Sequence, residues 1–216
     1  MSVKPDLSRF PEITHVNAWF FCIDNDIVKA IEPLRHASER AQNAVRFAWF
    51  SEGSAELMRC GELEAVRLRA GFFRAALAEF VSIEDILKVD LSMLGITKQP
   101  LKLNETPKPH LHVFRELRNQ EIHLRQSPLS REERDMFWGR IEHPEEATLR
   151  RISIWILDGI TVESFSQLKN VKRHYNHEER CKLVDWLNQS QAVWGIQRLF
   201  LIAAEDYCRE LIRTFL

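Results

Sequence analysis

Hydrophobic residues in the first half of the chain recur mostly at the spacing of one helical face. Over residues 24–49 they follow the i, i+3, i+4, i+7 pattern, which predicts an amphipathic helix that starts at Asp24, with Asn25 and Asp26 also able to cap it. Pro33 is expected to kink this helix or to restart it. A second helical pattern covers residues 54–88, and the short link at residues 51–53 predicts that the two helices pack antiparallel.

The pattern changes in the second half. Residues 89–109 lose the helical period and contain one glycine and three prolines, which predicts a loop, and a third helix is expected over residues 110–126. The β-prone segments 136–138 and 152–157 flank a turn-like stretch at residues 143–146, which predicts a β-hairpin, with a buried helix as the alternative. A short helix over residues 162–168 and helix from about Asn176 to the end complete the prediction.

Composition and length favour one helical domain. The chain has 216 residues, of which 45% are hydrophobic, and only 7 glycines and 8 prolines, so few tight turns are available. Residues 1–23 are predicted to be an arm whose apolar segment is either a strand or the start of a buried helix. Core helices over residues 24–126 and a hairpin with C-terminal helices over residues 127–216 make up the rest of this single domain.

Charge and cysteine content narrow the classes of function. The 30 basic and 31 acidic residues give a net charge of −1, so binding to nucleic acid or to an anionic membrane would need a local patch. The four cysteines are far apart in sequence, which predicts reduced, buried thiols of a cytoplasmic protein. The longest apolar runs have six residues, so no membrane span or secretion signal is predicted.

The third predicted helix carries the sequence Arg118-Asn119-x-x-x-His123. Independent placement of residues would produce this pattern only about 0.03 times in a chain of this composition. The segment resembles the HEPN family, whose nuclease members carry Arg-x(4–6)-His, often with Asn directly after the Arg. The resemblance is specific over residues 110–126 and concerns only the architecture over residues 24–126.

The residue types of this motif suit cleavage of RNA by its own 2′-hydroxyl. His123 would transfer protons near neutral pH, and Arg118 would stabilise charge on the phosphate with its planar donor fork. Asn119 lies one helical turn before His123 and would orient the imidazole or the phosphate. Neither a metal nor another cofactor is expected for this chemistry.

Helix geometry points to a dimer. Residues five apart are separated by about 500°, or about 140° around the axis, so Arg118 and His123 of one helix point in different directions. Two such helices laid side by side across a two-fold axis would gather arginine and histidine from both chains around one phosphate.

The family resemblance carries expectations beyond the motif. It implies a helical bundle that acts as a homodimer with a composite cleft and cuts RNA without metal to leave a 2′,3′-cyclic phosphate. It further implies a toxin or anti-phage effector, with an antitoxin such as a nucleotidyltransferase-like protein as a possible partner.

A second candidate region is basic. Residues 164–177 contain no acidic side chain, and Lys169, Lys172 and Arg173 come shortly before Tyr175. These residues are predicted to track an RNA backbone, with Tyr175 stacking on a base. The competing interpretation is a solvated loop between helices.

Two other interpretations stay open. Arg118, Glu121 and Arg125 could form a purely structural ion chain, and the protein would then be a non-catalytic helical module that binds another protein. His174, His177 and Cys181 follow H-x-x-H-x-x-x-C, which places three possible ligands on one helical face. No fourth ligand lies nearby in sequence, so no metal site is predicted.

Overall fold

The computed structural model describes residues 5–13, 23–53, 59, 61–123, 129–140 and 143–216. Over these ranges the chain is mainly helical, with one two-stranded antiparallel sheet, as the sequence predicts. The helices are α1 (Asn25–Ile31), α2 (Arg35–Glu52), α3 (Glu62–Met93), α4 (Pro109–His123), α5 (Val162–Ser166), α6 (Lys169–His174), α7 (His177–Trp194) and α8 (Ile196–Phe215), with a 3₁₀ turn at Leu103–Glu105. The strands are β1 (Leu129–Arg140) and β2 (His143–Leu157).

Pro33 separates two helices. The predicted helix over residues 24–49 consists of α1 and α2, with a turn at residues 32–34 between them. Proline has no backbone N–H and its ring clashes with the preceding turn, so the helix restarts instead of continuing through a kink. Asp24 caps α1 as predicted, since its carboxylate accepts a hydrogen bond from the backbone N–H of Asp26 at 2.7 Å.

Helices α2 and α3 pack antiparallel, as predicted. At one end, the buried carboxylate of Asp90 accepts hydrogen bonds from the backbone N–H groups of His36 at 3.1 Å and Ala37 at 2.8 Å. Asp90 therefore supplies the N-terminal cap that α2 lacks in its own sequence. At the other end, the Arg69 side chain of α3 donates to the backbone carbonyl of Ser51 at 2.9 Å. The predicted start of the second helix, at residues 54–58, lies outside the described residues.

Helix α8 is the central element of the core. Thirteen of its 20 residues are buried, so neighbouring elements cover it on nearly all sides. The rings of Phe73, Phe80 and Phe114 meet Phe200 edge-on, with centroid distances of 5.9, 5.3 and 5.5 Å. Edge-to-face packing is a favourable arrangement for aromatic rings. These contacts join α3, α4 and α8 around one aromatic centre.

The predicted hairpin is confirmed, with longer strands and a different turn. The register pairs Leu129 with Leu157 and continues to Arg140 opposite His143. The expected turn at residues 143–146 is wrong, because these residues begin β2, and the link at residues 141–142 lies outside the described residues. Pro144 is compatible with a strand here because both strands of a two-stranded sheet are edge strands.

The base of the hairpin is fixed to the helices. Gln191 of α7 accepts a hydrogen bond from the backbone N–H of Leu157 at 2.9 Å and donates to its carbonyl at 3.0 Å. The Arg69 guanidinium lies 4.1 Å from the centroid of the Trp155 ring. The hairpin is thereby held against α3 and α7.

The C-terminal region contains more helices than predicted. The single helix expected from about Asn176 is divided at Gly195, which has a φ of +80°. A side chain at this position would place its Cβ 3.2 Å from the Cβ of Ile154, so hairpin and helices approach closely here. Helix α6 was not predicted as a helix. None of the helices in the described ranges is long and apolar enough to span a bilayer.

The N-terminal arm is described over residues 5–13. The ring of Phe10 stacks on Trp186 of α7 with centroids 4.8 Å apart, so this part of the arm packs against the helices. The prediction of a strand or a helix start falls mostly on residues 14–22, which lie outside the described residues.

Candidate functional site

The motif helix α4 has one apolar face and one polar face. Leu111, Phe114 and Leu117 are fully buried and fix the rotation of the helix against the core. Pro109 starts the helix, at a position where its missing N–H costs no hydrogen bond. The polar side chains at positions 112, 115, 116, 118 and 119 are thereby held at defined places relative to α3, α6 and α7.

A chain of hydrogen bonds connects α3 to the motif. Arg115 donates through Nε to Glu84 Oε1 at 3.1 Å and through Nη1 to Glu116 Oε1 at 3.2 Å. Asn119 Nδ2 donates to Glu116 Oε2 at 3.2 Å, and Arg118 Nη1 donates to Asn119 Oδ1 at 3.3 Å. We call these five side chains the Glu116 network. Because both ends of the Asn119 amide are used, the network orients the Arg118 guanidinium.

The carboxylates of this network are poorly hydrated. Burial raises the pKa of Glu84, against the opposing effect of the Arg115 charge. Burial also raises the pKa of Glu116, a residue that is only 3% exposed, while the hydrogen bond from Asn119 and the charge of Arg115 act in the opposite direction. Perturbed carboxyls of this kind concentrate at functional sites, although structural ion pairs produce them too.

Arg118 and Asn119 lie where the Glu116 network reaches the surface, and both side chains are half-buried. The backbone of His123 forms the last residue of α4, and its side chain lies outside the described part of the structure. The structure therefore brings together two of the three predicted catalytic residues, and the role of His123 stays a prediction.

The basic segment is helical. Lys172 and Arg173 are exposed in the last turn of α6, and cations at this end of a helix are favoured by its dipole. The side chain of Lys169 lies outside the described part of the structure. The segment between α5 and α7 is therefore a short helix and not the solvated loop of the competing interpretation. Lys172 and Arg173, two of the three predicted RNA-binding cations, are accessible to solvent.

Tyr175 is placed differently from the prediction. The residue is 5% exposed, and its hydroxyl contacts Nδ1 of His112 on the motif helix. A buried ring offers no open face to a base, so the predicted stacking role is not compatible with this position. Tyr175 instead ties the end of α6 to α4.

The contacts of His112 define its protonation. Burial lowers the pKa of His112 to about 4, so the ring is neutral at physiological pH. Nε2 lies 2.8 Å from the carbonyl oxygen of Thr106 and must carry the proton, because a carbonyl only accepts. Nδ1 then accepts the hydrogen bond that the Tyr175 hydroxyl donates. This arrangement satisfies both ring nitrogens of a side chain that is 1% exposed.

His174, directly before Tyr175, is half-buried at the end of α6. Burial is the main influence on both neighbouring groups, since it lowers the pKa of His112 and raises that of Glu116, and His174 makes only a minor electrostatic contribution to each. Residues 112 and 116 are one helical turn apart on the same face of α4. The contact that joins the basic segment to α4 is that of Tyr175 with His112.

The possible metal ligands do not form a metal site. Cys181 Sγ lies 3.7 Å from Nε2 of His177 within α7, whereas His174 belongs to α6. In the described part of the chain, no three His, Cys, Asp or Glu side chains are grouped so that they could hold a metal ion. Of the four predicted reduced thiols, Cys208 is buried and Cys181 half-buried, both unpaired, and the other two lie outside the described residues.

Sequence reasoning assigned no role to Glu84, Arg115 or His112. The spacing of His112, Glu116 and Asn119 at i, i+4 and i+7 was a signal for a shared polar face. Glu84 lies on α3, 31 residues before Arg115, and no local pattern identifies their contact.

Comparisons with protein-family models, with curated proteins and with solved structures found no match to this chain. The resemblance to the HEPN family therefore stays a prediction from the sequence of the motif helix α4.

Proposed function

We propose that the protein is a metal-independent endoribonuclease of the HEPN type. Arg118 holds the scissile phosphate, Asn119 orients Arg118, and His123 transfers a proton during attack of the 2′-hydroxyl. The single observation that carries the proposal is the Glu116 network, which delivers an oriented arginine to the surface of the motif helix.

The network supports this role because it restricts the arginine. A free arginine side chain must lose rotamer freedom when it binds a phosphate. Asn119, fixed by the buried Glu116 carboxylate, removes part of that cost before the substrate arrives. A planar guanidinium held in place suits the charge that accumulates on a phosphate during cleavage.

The position of the basic segment supports RNA as the ligand. Lys172 and Arg173 are exposed on α6, and the His112–Tyr175 contact holds the end of this helix against α4. Cations beside the motif helix would bind the phosphates that flank the cleaved bond, together with Lys169.

The active form is proposed to be a homodimer. Arg118 and His123 diverge by about 140° around α4, so one copy cannot surround a phosphate with both groups. An isologous contact between two motif helices would supply the arginine of one copy and the histidine of the other. The proposed biological role is that of a toxin or anti-phage effector, with a nucleotidyltransferase-like antitoxin as a candidate partner.

Cleavage of end-labelled RNA in the presence of EDTA tests the proposal. The substrates are tRNA and an unstructured single strand, and the proteins are the parent, Arg118→Ala, His123→Ala and the control Arg35→Ala. Arg35 is an exposed arginine at the start of α2, on a different helix from the motif. Circular dichroism and sedimentation verify that the variants keep the fold and the oligomeric state of the parent.

The parent and Arg35→Ala are expected to cut RNA and leave a 2′,3′-cyclic phosphate. The two motif variants are expected to lose at least about 100-fold in rate, the lower end of the effect of one proton-transfer or charge-stabilising group. A folded parent that leaves every RNA intact, or motif variants that cut as fast as Arg35→Ala, would refute the proposal.

A further inference from the structure

Helix α3 contributes a carboxylate, that of Glu84, to the surroundings of the motif helix. Its Oε1 accepts hydrogen bonds from Nε of Arg115 at 3.1 Å and from the backbone N–H of Leu103 at 2.7 Å. The Glu84 side chain is 8% exposed, so both bonds lie in a poorly hydrated environment, where hydrogen bonds are stronger than in water. The backbone of the 3₁₀ turn thus holds Glu84 independently of α4.

Arg115 joins this carboxylate to that of Glu116 through two different nitrogens of one planar group. Nε donates to Glu84, and Nη1 donates to Glu116 Oε1 at 3.2 Å. Because the guanidinium is rigid and planar, it fixes the distance and the angle between the two carboxylates. A lysine at this position would keep the positive charge, but it has a single nitrogen on a flexible stem and would not fix that geometry.

The position of the Glu116 carboxylate decides where the Asn119 amide lies. Glu116 Oε2 accepts a hydrogen bond from Asn119 Nδ2 at 3.2 Å, and Asn119 Oδ1 accepts one from Nη1 of Arg118 at 3.3 Å. A buried carboxylate that loses the charged partner on one oxygen is destabilised and turns toward another donor. Without the Arg115 guanidinium, the Asn119 amide would therefore lose its fixed acceptor, and Arg118 would lose its fixed orientation.

We propose that Arg115 and Glu84 are positioning residues of the ribonuclease site, which set the orientation of the Arg118 guanidinium from outside the motif. Their effect passes through Glu116 and Asn119, so neither residue has to touch the RNA. Helix α3 thereby takes part in the site although it carries no residue of the motif. This inference rests on the proposed ribonuclease function and adds two residues to it.

Steady-state rates of RNA cleavage test this role, at a temperature where circular dichroism shows every variant folded. The variants are Arg115→Lys and Glu84→Gln, each alone and combined with Asn119→Ala. Asn119→Ala breaks the Glu116 network just before Arg118 and keeps Arg118 itself. A residue that acts through Asn119 has nothing left to act on in this background, whereas a residue that only stabilises the fold acts there as before.

The matched control is Arg198→Lys. Arg198 is a buried arginine of α8, and its Nη1 lies 3.0 Å from Oε1 of Glu52 at the end of α2. This ion pair contains no residue of α4. The control therefore measures what the loss of a buried guanidinium does to cleavage when the Glu116 network is intact.

We expect Arg115→Lys to lower kcat by about 10- to 100-fold, the effect of moving a charge-stabilising group by up to about 1 Å, with KM changed less than about threefold. Glu84→Gln should lower kcat less, because its amide oxygen can still accept a hydrogen bond from Arg115. In the Asn119→Ala background, either change should lower kcat by less than about twofold further. Arg198→Lys should keep the parental kcat.

The outcomes separate the two proposals. If the parent cuts no RNA, the ribonuclease assignment fails and the positioning role fails with it. If the parent cuts, the positioning role is overturned and the ribonuclease function stands in three cases: Arg115→Lys keeps the parental kcat, its loss is equally large in the Asn119→Ala background, or Arg198→Lys loses as much. If Arg115→Lys does not fold, Glu84→Gln alone and with Asn119→Ala decides by the same comparison.

Discussion

Replacement of Tyr175 by Phe distinguishes a buried structural role from the base-stacking role that the sequence predicted. The variant keeps the ring and removes only the hydroxyl that contacts His112. A stacking residue tolerates this change, because phenylalanine offers a base the same aromatic face. A residue that ties α6 to α4 does not tolerate it, because the bond it loses is buried.

The magnitude follows from the burial of His112. Its side chain is 1% exposed, so Nδ1 would remain away from water without a donor after the hydroxyl is removed. A buried polar group left unpaired costs about 1–3 kcal/mol. The ring is retained, so no loss of apolar burial is added. At about 2–4 °C per kcal/mol for a domain of this size, a cost near 2 kcal/mol lowers Tm by about 4–8 °C.

Thermal unfolding followed by circular dichroism measures the effect. The control is Lys172→Gln, which changes an exposed side chain on the adjacent helix and should leave Tm within about 1–2 °C of the parent. A Tyr175→Phe variant that melts with the parent would refute the structural role. Loss of RNA affinity in Tyr175→Ala but not in Tyr175→Phe, with both at the parental Tm, would restore the stacking role.

Three further predictions concern stability. Burial lowers the pKa of His112 from the ordinary 6.5 to about 4, so between these pH values the unfolded chain binds a proton that the folded protein does not. The contribution of this group to the free energy of unfolding is therefore complete above about pH 6.5, and about 3 kcal/mol is lost as the pH falls from there through 4. The free energy of unfolding in urea should fall less for His112→Gln than for the parent between pH 6.5 and pH 4. An equal fall in the two proteins would show that His112 does not cause this pH dependence. Asp90→Ala should cost about 2–3 kcal/mol in urea unfolding, since it removes the cap of α2 and leaves the buried N–H of Ala37 unpaired; a loss below about 0.5 kcal/mol would exclude this role. Gly195→Ala should lower the free energy of unfolding by more than about 1 kcal/mol, because its φ is positive and its new Cβ would press on the hairpin. Gly71→Ala lies in helix α3 with no atom within 4 Å of the new Cβ and should raise the free energy of unfolding by about 0.5–1 kcal/mol. Changes of the same sign in the two glycine variants would contradict this reasoning.

Most helices and the hairpin were predictable because buried hydrophobic residues recur along the sequence at the spacing typical of a helix or a strand. The helical spacing located α2, α3 and α4, and the β-prone segments located the hairpin. The boundaries were less predictable. Pro144 marked a turn in the sequence but lies in an edge strand, and the contact of Gly195 with Ile154 depends on a hairpin nearly 40 residues earlier.

The candidate site was predictable only where its residues are neighbours in sequence. Arg118 and Asn119 are adjacent and were both found from the motif, which predicted that Asn119 orients the imidazole or the phosphate, whereas in the structure its amide oxygen accepts a hydrogen bond from Arg118. Tyr175 lies among basic residues, which is typical of an exposed segment, and only its contact with His112 shows that it is buried.

The two-stranded sheet has a consequence for association in solution. With two strands in the described sheet, each strand has one edge whose N–H and C=O groups find no strand partner, and such an edge is a template for intermolecular strand pairing. Residues 131–135 of β1 are five consecutive charged residues, and two ion pairs, Arg131 with Glu133 at 2.7 Å and Asp135 with Arg151 at 3.1 Å, lie on the exposed surface of the ribbon. A second chain that paired with this edge would have to remove water from these charged side chains, which is unfavourable. The charges of β1 therefore oppose pairing of a second chain with this edge of the hairpin.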